Sequence, residues 1–207
     1  MALIYQKSER LEVLVMMRII TGSAKGRRLE TLEGESTRPT SERIKGAIFS
    51  SIQFECEGRA VLDLFAGSGQ MGLEALSRGA ARATFIDSSR EAMEIVKENA
   101  KATNLCDKSH FLVSDAKNYI RKASGRERFD LVFVDPPYAL MCCSEIADSL
   151  ARSGIIIPGA IVVLESGEEK IDLGDKRLSG YEVIKSRSYG QKTTVNILFY
   201  KGREESE

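Results

Sequence analysis

One stretch of the sequence decides the fold: Asp63-Leu64-Phe65-Ala66-Gly67-Ser68-Gly69-Gln70-Met71-Gly72. It overlaps the end of an apolar run at residues 60–65 and leads into a helical pattern at residues 70–77. Glycines at such a junction let the backbone turn sharply and approach a nucleotide-like ligand without an intervening Cβ atom. The stretch therefore predicts a strand, a ligand-binding turn and a helix, the opening unit of a parallel α/β sheet.

Outward from this unit, apolar runs and helical patterns alternate along the chain. Further strands are predicted at residues 83–86, 110–113, 129–134 and 160–164, and helices at residues 89–102, 116–123 and 143–152. Two last strands, at residues 181–186 and 193–200, are separated by a short link at residues 188–192. This order indicates an α/β fold with a mostly parallel sheet, right-handed crossovers and an antiparallel hairpin at one edge.

The segment ahead of the sheet has a different character. Residues 18–21 and 28–32 flank the glycine-containing stretch 22–26, a pattern that predicts a small basic β-hairpin. A helix should follow, capped by Thr40 or Ser41. Its apolar positions share one face: Ile44, Ala47, Ile48 and Ile52. We interpret the hairpin and helix as a substrate-binding appendage; the alternative is an extension that merely covers the sheet.

Charge is balanced overall and uneven locally. The 207 residues have a net charge of zero, yet residues 17–48 hold seven basic against four acidic residues, and residues 176–203 hold seven against one. If the two segments meet in space, they form a phosphate-binding face; otherwise they are solvated surface.

Several protein classes are disfavoured by composition. The chain has no apolar run long enough to span a membrane, and charged residues stand where a signal peptide would be apolar, which predicts a cytoplasmic location. Its four cysteines show no C-x-x-C spacing and one histidine accompanies them, so we expect neither a metal site nor disulfides.

Carboxylates follow three successive strands of the predicted sheet. Asp63 precedes the glycines, where it would attract the cationic ammonium of a methionine moiety and repel a pyrophosphate. Asp87 ends the next strand and is placed to accept hydrogen bonds from both ribose hydroxyls. Asp115 could accept from an adenine amino group, with the Ala116 N–H donating to the ring. Together they favour S-adenosylmethionine over a dinucleotide, although each carboxylate taken singly could instead cap a helix.

The tetrapeptide Asp135-Pro136-Pro137-Tyr138 follows the apolar run 129–134. It resembles the D/N-P-P-Y/F/W motif of methyltransferases that modify exocyclic amines. Such an amine is conjugated with its ring and becomes nucleophilic when acceptors draw the nitrogen toward tetrahedral geometry; Asp135 and the Pro136 carbonyl would supply these acceptors. The prolines stiffen the loop, and Tyr138 offers a stacking face for an extruded base. An ordinary turn is the alternative.

Taken together, the chain from Met17 onward resembles the RsmD family of 16S rRNA guanine-N2 methyltransferases. The matching stretches are Met17-Arg18-Ile19-Ile20-Thr21-Gly22, Gly26-Arg27, Arg38-Pro39-Thr40 with Arg43, Val61-Leu62-Asp63-Leu64-Phe65-Ala66-Gly67-Ser68-Gly69, Gly72-Leu73-Glu74-Ala75, Ser77-Arg78-Gly79-Ala80, Phe129-Asp130 and Asp135-Pro136-Pro137-Tyr138. The resemblance implies a Rossmann-like class I methyltransferase with a seven-stranded sheet. It also implies action on 16S rRNA within a small ribosomal subunit or an assembly intermediate. We expect a monomer that needs neither a membrane nor a metal.

The motifs, the charge pattern and the resemblance together assign roles to three groups of residues. Catalysis falls to Asp135, Pro136, Pro137 and Tyr138. S-adenosylmethionine would be held by Asp63, Phe65, Ala66, Gly67, Ser68, Gly69, Asp87, Ser88, Asp115 and Ala116. RNA would be bound by Arg27, Arg28, Arg38, Thr40 and Arg43. Asp87 stands where many relatives have Glu, a shorter side chain that should still reach the ribose.

Four parts of the chain are predicted. Residues 1–16 are an N-terminal extension that is either disordered or absent from the native protein, and residues 17–54 are the RNA-binding appendage. Residues 55–203 form the methyltransferase domain, and residues 204–207 are an acidic tail.

Two rival functions stay open at this stage. One is another amino-methyltransferase, acting on DNA adenine or on a protein glutamine. The glutamine enzymes favour Asn at the first tetrapeptide position, and the DNA enzymes usually carry a larger target-recognition region. The other is a non-catalytic or dinucleotide-binding domain, in which the tetrapeptide would have no role.

Overall fold

A computed structural model describes residues 17–31, 39–137, 143–167, 172, 174–190 and 193–202, with only the backbone described at 39–41. The strands are β1 (Ala60–Asp63), β2 (Arg82–Asp87), β3 (Ser109–Val113), β4 (Phe129–Val134), β5 (Ile156–Ser166), β6 (Tyr181–Tyr189) and β7 (Thr193–Tyr200). The helices are α1 (Pro39–Ser51), α2 (Gln70–Ser77), α3 (Arg90–Ala102), α4 (Ala116–Ala123) and α5 (Cys143–Ser153).

The seven strands form one sheet in the order β3-β2-β1-β4-β5-β7-β6. The first five strands are parallel, and β7 runs antiparallel to both β5 and β6. The prediction of a mostly parallel sheet with an antiparallel edge hairpin is confirmed. Because β1 to β5 are parallel, their carboxyl ends meet at one edge of the sheet, which we call the carboxyl edge.

Strand β5 begins four residues before its predicted start. Pro158 and Gly159 there are typical of a turn, but the structure keeps them within the strand. The ladder with β4 shifts register between Phe129 and Leu131, and this irregularity accommodates the extra residues of β5.

Helices cover both faces of the sheet and bury two apolar clusters. The first cluster joins α1, α2 and α3 to β1, β2, β4, β5 and β7, and it includes Met17, Ile19 and Leu29 from the N-terminal segment. The second cluster packs α4 and α5 against the opposite face. None of the helices that the structure describes has both the length and the apolar character needed to cross a membrane.

The N-terminal segment forms only a short version of the predicted β-hairpin. Arg18 and Arg28 make an isolated antiparallel bridge in place of two strands. The reason is that neighbouring N–H groups find acceptors on α2: Ile20 and Thr21 donate to the Glu74 carboxylate at 2.6 and 3.0 Å. Ser23 donates to the Ser77 carbonyl at 2.8 Å. The two arms still pair with each other, since the Ile19 N–H donates to the Arg27 carbonyl at 2.9 Å and the Leu29 N–H to the Met17 carbonyl at 2.8 Å. Helix α2 supplies acceptors only for the residues between them.

The predicted helix cap is wrong. Helix α1 begins at Pro39, so Thr40 and Ser41 lie in its first turn and not at its N-cap. A proline at the first helical position has no N–H to leave unsatisfied, and its fixed φ angle suits a helix start. The apolar face was predicted correctly, because Ile44, Ile48 and Ile52 are all buried.

A buried ion pair fastens α1 to α2. Lys45 is 1% exposed, and its Nζ lies 4.0 Å from Glu74 Oε2 and donates to the Arg18 carbonyl at 2.6 Å. Burial lowers the pKa of Lys45 to about 8, against the opposing pull of the Glu74 charge. Glu74 Oε1 also accepts from Arg78 Nε at 2.8 Å. One carboxylate therefore binds both the N-terminal segment and α1 to the sheet domain.

Candidate active site

The loop between β1 and α2 is shaped by the end of β2. Asp87 Oδ2 accepts the Gly67 N–H at 2.9 Å, and its Oδ1 accepts the Ser89 N–H at 2.8 Å. The Ala66 N–H donates to the Ile86 carbonyl at 2.9 Å. Gly69 has a φ of +78°, where a Cβ would lie 2.9 Å from Val96 Cγ1. The glycine loop (residues 66–69) is thus held against the end of β2, with Asp87, the predicted ribose acceptor, facing it.

Asp63 lies beneath this loop. Its side chain is 3% exposed, and Oδ2 accepts the Gly72 N–H at 2.9 Å. Burial raises the pKa of Asp63 to about 7; the Gly72 hydrogen bond lowers it and the Asp87 charge raises it. An added cation would favour its ionised form. Contact with a methionine ammonium stays a prediction, and the observed role of Asp63 is to bind the first turn of α2.

A buried acceptor nearby has no partner. Gln70 Oε1 is buried without a hydrogen bond from any residue that the structure describes, directly after the glycine loop. Buried polar atoms are normally paired, so an orphan next to a predicted ligand site is consistent with a donor supplied by the ligand. A cationic ammonium group would be such a donor, which fits the methionine end of S-adenosylmethionine.

The third carboxylate acts as a helix cap. Asp115 is exposed, and its Oδ1 accepts the Asn118 N–H at 3.1 Å at the start of α4. This is the alternative that the sequence left open. Ala116 is buried beneath it and Ser88 is exposed beside Asp87. An additional contact from Asp115 to an adenine stays a prediction.

The proline loop (residues 135–137) leaves the sheet next to the glycine loop. The Leu64 N–H, after β1, donates to the Phe133 carbonyl of β4 at 3.1 Å. Asp135 is half-buried, Pro136 is buried and Pro137 is exposed. The structure therefore brings the tetrapeptide's first three residues beside the glycine loop at the carboxyl edge, whereas Tyr138 lies outside the described residues.

Helix α1 points its N-terminus at the same edge. Lys45 pairs with Glu74, and four residues later the Phe49 ring lies 4.8 Å from the Arg78 guanidinium. Helices α1 and α2 therefore run in the same direction, and α2 begins at the glycine loop. The Phe49 ring also lies 5.6 Å from the Phe133 ring, two residues before Asp135.

A basic groove opens beside α1. It has a volume of about 560 Å³ and is lined by Arg18, Ile19, Ile20, Lys25, Gly26, Glu42 and Arg43. Arg27 and Arg28 are exposed nearby on the N-terminal turn. Among the predicted RNA-binding residues, Arg38 and the Thr40 side chain lie outside the described residues.

The second basic segment reaches the last residue of α1, and its meeting with the basic residues of segment 17–48 stays a prediction. Lys185 Nζ on β6 donates to Ser51 Oγ at 2.8 Å. Two residues on, the Arg187 guanidinium lies 5.4 Å from the Tyr189 ring. Because Lys185 and Arg187 are two residues apart in the strand, their side chains lie on the same face of β6, the face that adjoins α1.

Sequence reasoning missed two acids at these sites. The sequence analysis places Glu74 only within a matching stretch, and it assigns no role to Glu165, near the end of β5. The available signal for the first was Lys45, a charged residue beside the apolar helix face of Ile44 and Ile48. For Glu165 it was an acid at the carboxyl end of an apolar strand.

Known proteins resemble this chain over most of its length. The family model described as "Conserved hypothetical protein 95" matches residues 17–200. Ribosomal RNA small subunit methyltransferase D of Escherichia coli is 33% identical over 153 residues, which cover 74% of this chain and 76% of that protein. The provisionally named rRNA methyltransferase YlbH of Bacillus subtilis is 40% identical over 148 residues, 68% of this chain and 80% of its own. A solved structure of the provisionally named methyltransferase yhhF from Escherichia coli superposes with a TM-score of 0.77 at 28% identity, covering 91% of this chain and 99% of that one.

Proposed function

The chain belongs to the RsmD family, and from this premise we propose that it transfers a methyl group from S-adenosylmethionine to the exocyclic N2 of one guanine in 16S rRNA. The observation that carries the proposal is the Asp135-Pro136-Pro137 loop beside the glycine loop at the carboxyl edge. The substrate would be a small ribosomal subunit or its assembly intermediate. The protein would act as a monomer in the cytoplasm.

The chain's own residues would orient and activate the amine. Asp135 and the Pro136 carbonyl accept its hydrogens, which draws the nitrogen lone pair out of conjugation. The nitrogen gains positive character during attack on the methyl group, so a fixed acceptor beside it stabilises the transition state more than the ground state. Tyr138 would stack on the extruded base.

The cofactor supplies the electrophilic methyl group, and the residues around the glycine loop would hold it. Asp87 would accept the ribose hydroxyls, Asp63 and Gln70 would meet the ammonium end, and Asp115 would accept the adenine amine. Isothermal titration with S-adenosylhomocysteine and with NAD separates this assignment from a dinucleotide site.

Asp87→Ala is expected to weaken S-adenosylmethionine binding by about 1.5–3 kcal/mol, because an ionised acceptor for two hydroxyls is lost. The Gly67 and Ser89 N–H groups lose their acceptor as well. Titration calorimetry measures the affinity, with the exposed Asp107→Ala as the matched control. RNA affinity should barely change; parental cofactor affinity in Asp87→Ala would limit this carboxylate to a structural role.

The proposed RNA surface combines the N-terminal turn and α1. Arg27, Arg28 and Arg43 are exposed there, close to a helix whose N-terminus faces the carboxyl edge. Lys185 and Arg187 of β6 extend the same positive surface along α1. Cations so arranged suit a phosphate backbone that approaches the proline loop.

Neutralising Arg27, Arg28, Arg38 and Arg43 together should weaken RNA binding and flatten its salt dependence, with the slope falling by about 0.7–0.9 per lost phosphate contact. Binding is measured across a salt series by filter retention. The control neutralises four exposed cations elsewhere: Lys108, Arg121, Lys122 and Arg126. Cofactor binding should survive in both variants, and a slope as steep as the parent's would place the RNA surface elsewhere.

The direct test of function is to map methylated guanines in 16S rRNA from cells with and without this gene. We expect one N2-methylguanine to disappear with the gene and to return with the parental copy. An unchanged methylation map would overturn the proposal.

A further inference from the structure

The ends of β4 and β5 bring a second carboxylate to the proline loop. Val134 pairs with Leu164 in the parallel ladder, so the next residues of the two chains are Asp135 and Glu165. Adjacent strands lie about 4.8 Å apart. The two acids therefore leave neighbouring strands at the same level of the carboxyl edge.

The ladder also fixes the face on which Glu165 lies. It pairs with Val195 on β7, which belongs to the apolar cluster beneath α1. Two residues earlier, Val163 belongs to the same cluster, as alternation along a strand requires. Glu165 thus continues the sheet face covered by α1, the helix whose Phe49 packs against β4 two residues before Asp135.

The surroundings of Glu165 are unusual for an acid. It is half-buried, and burial raises its pKa to about 7. A carboxylate withheld from water at an apolar strand end costs free energy, and such groups concentrate at functional sites. Its backbone already has a structural role, since the Glu165 carbonyl accepts from Cys143 Sγ at 3.4 Å, but that contact does not require an acidic side chain.

We propose that the Glu165 side chain is a specificity residue that accepts the N1–H of the target guanine while Asp135 accepts the N2–H. This assignment rests on the proposed function and adds a base-reading contact to it. Guanine presents N1–H and N2–H as adjacent donors on its Watson–Crick edge, which match two adjacent acceptors. Adenine presents a donor beside the N1 acceptor, so a second carboxylate would face a lone pair. The pair of acids therefore selects guanine against adenine.

The test changes the hydrogen-bonding groups of the target base and those of residue 165. Two versions of 16S rRNA are made by ligation, one with guanine and one with 2,6-diaminopurine at the target nucleotide. Diaminopurine keeps the 2-amino group of guanine, but its N1 is a hydrogen-bond acceptor. Both RNAs are assembled into small subunits, and kcat/KM is measured at pH 8 for the parent, Glu165→Gln and the control Glu182→Gln. Glu182 is exposed at the start of β6, away from the carboxyl edge, and it pairs with Phe199 of β7.

We expect the kcat/KM of the parent and of the control to be at least about 100-fold higher on guanine than on diaminopurine. A site discriminates strongly when the wrong substrate leaves one of its buried polar groups unpaired. Glu165→Gln should lose rate on guanine and cut the preference at least tenfold, because its amide N–H can donate to the N1 of diaminopurine. A merely structural role would lower both rates and leave their ratio unchanged, and that ratio would overturn the inference. If the parent methylates neither RNA at N2, the proposed function itself fails.

Discussion

Replacing Asp135 with alanine is expected to lower kcat at least about 100-fold, the scale of roughly 3 kcal/mol for one preorganised electrostatic contact. The loss should appear in turnover, because the amine gains positive character only as it attacks the methyl group. The measurement is single-turnover methylation of small subunits that lack the modification, with cofactor and subunits saturating.

Asp135→Asn is the matched comparison, since its amide oxygen still accepts a hydrogen bond and related enzymes carry Asn at this position. Its loss of turnover should be milder. Titration with S-adenosylmethionine and thermal unfolding confirm that both variants fold and bind the cofactor. Methyl transfer at the parental rate by a folded, cofactor-bound Asp135→Ala would show that the proline loop is not the active site.

Glu74→Ala is expected to reduce the free energy of unfolding by about 3–5 kcal/mol, the usual effect of removing one partner of a buried ion pair. Lys45 would remain 1% exposed without its counter-charge, and the Ile20 and Thr21 N–H groups would lose their acceptor. Urea unfolding followed by circular dichroism gives the stability of both proteins.

Glu98→Ala is the control for this prediction. Glu98 lies on α3 and pairs with Lys101 at 2.7 Å, but both side chains are more than half exposed, so its loss should leave the free energy of unfolding nearly unchanged. Equal stabilities of the two variants would mean that the Glu74 carboxylate does not anchor the N-terminal segment.

The central sheet could be predicted from sequence because its information is local. Apolar runs mark buried strands, and 3.6-residue periodicity marks the helices between them. Departures from the prediction arose where tertiary contacts added a partner or shifted the register. The N-terminal segment pairs with Glu74 and Ser77 on a helix more than 50 residues away, and β5 absorbs a Pro-Gly pair through a register shift beside β4.

The motifs of the candidate active site are equally local, since the glycine turn and the proline loop place their proposed chemistry in consecutive residues. What sequence left open was the function of single carboxylates, because one Asp at a strand end can cap a helix or bind a ligand. The structure distinguishes among them by what each oxygen accepts: Asp115 caps α4, Asp63 binds α2, and Asp87 holds the glycine loop.

The sequence by itself determined the α/β order of elements, the family and the two loops that meet at the carboxyl edge, because each depends on residues close together in the chain. Only the tertiary structure decided that Glu165 stands beside Asp135 and that Lys45 pairs with Glu74. These pairs join residues about 30 positions apart, and strand register and helix packing set their proximity. Register and packing depend on the whole sheet and its buried faces, which no local pattern specifies.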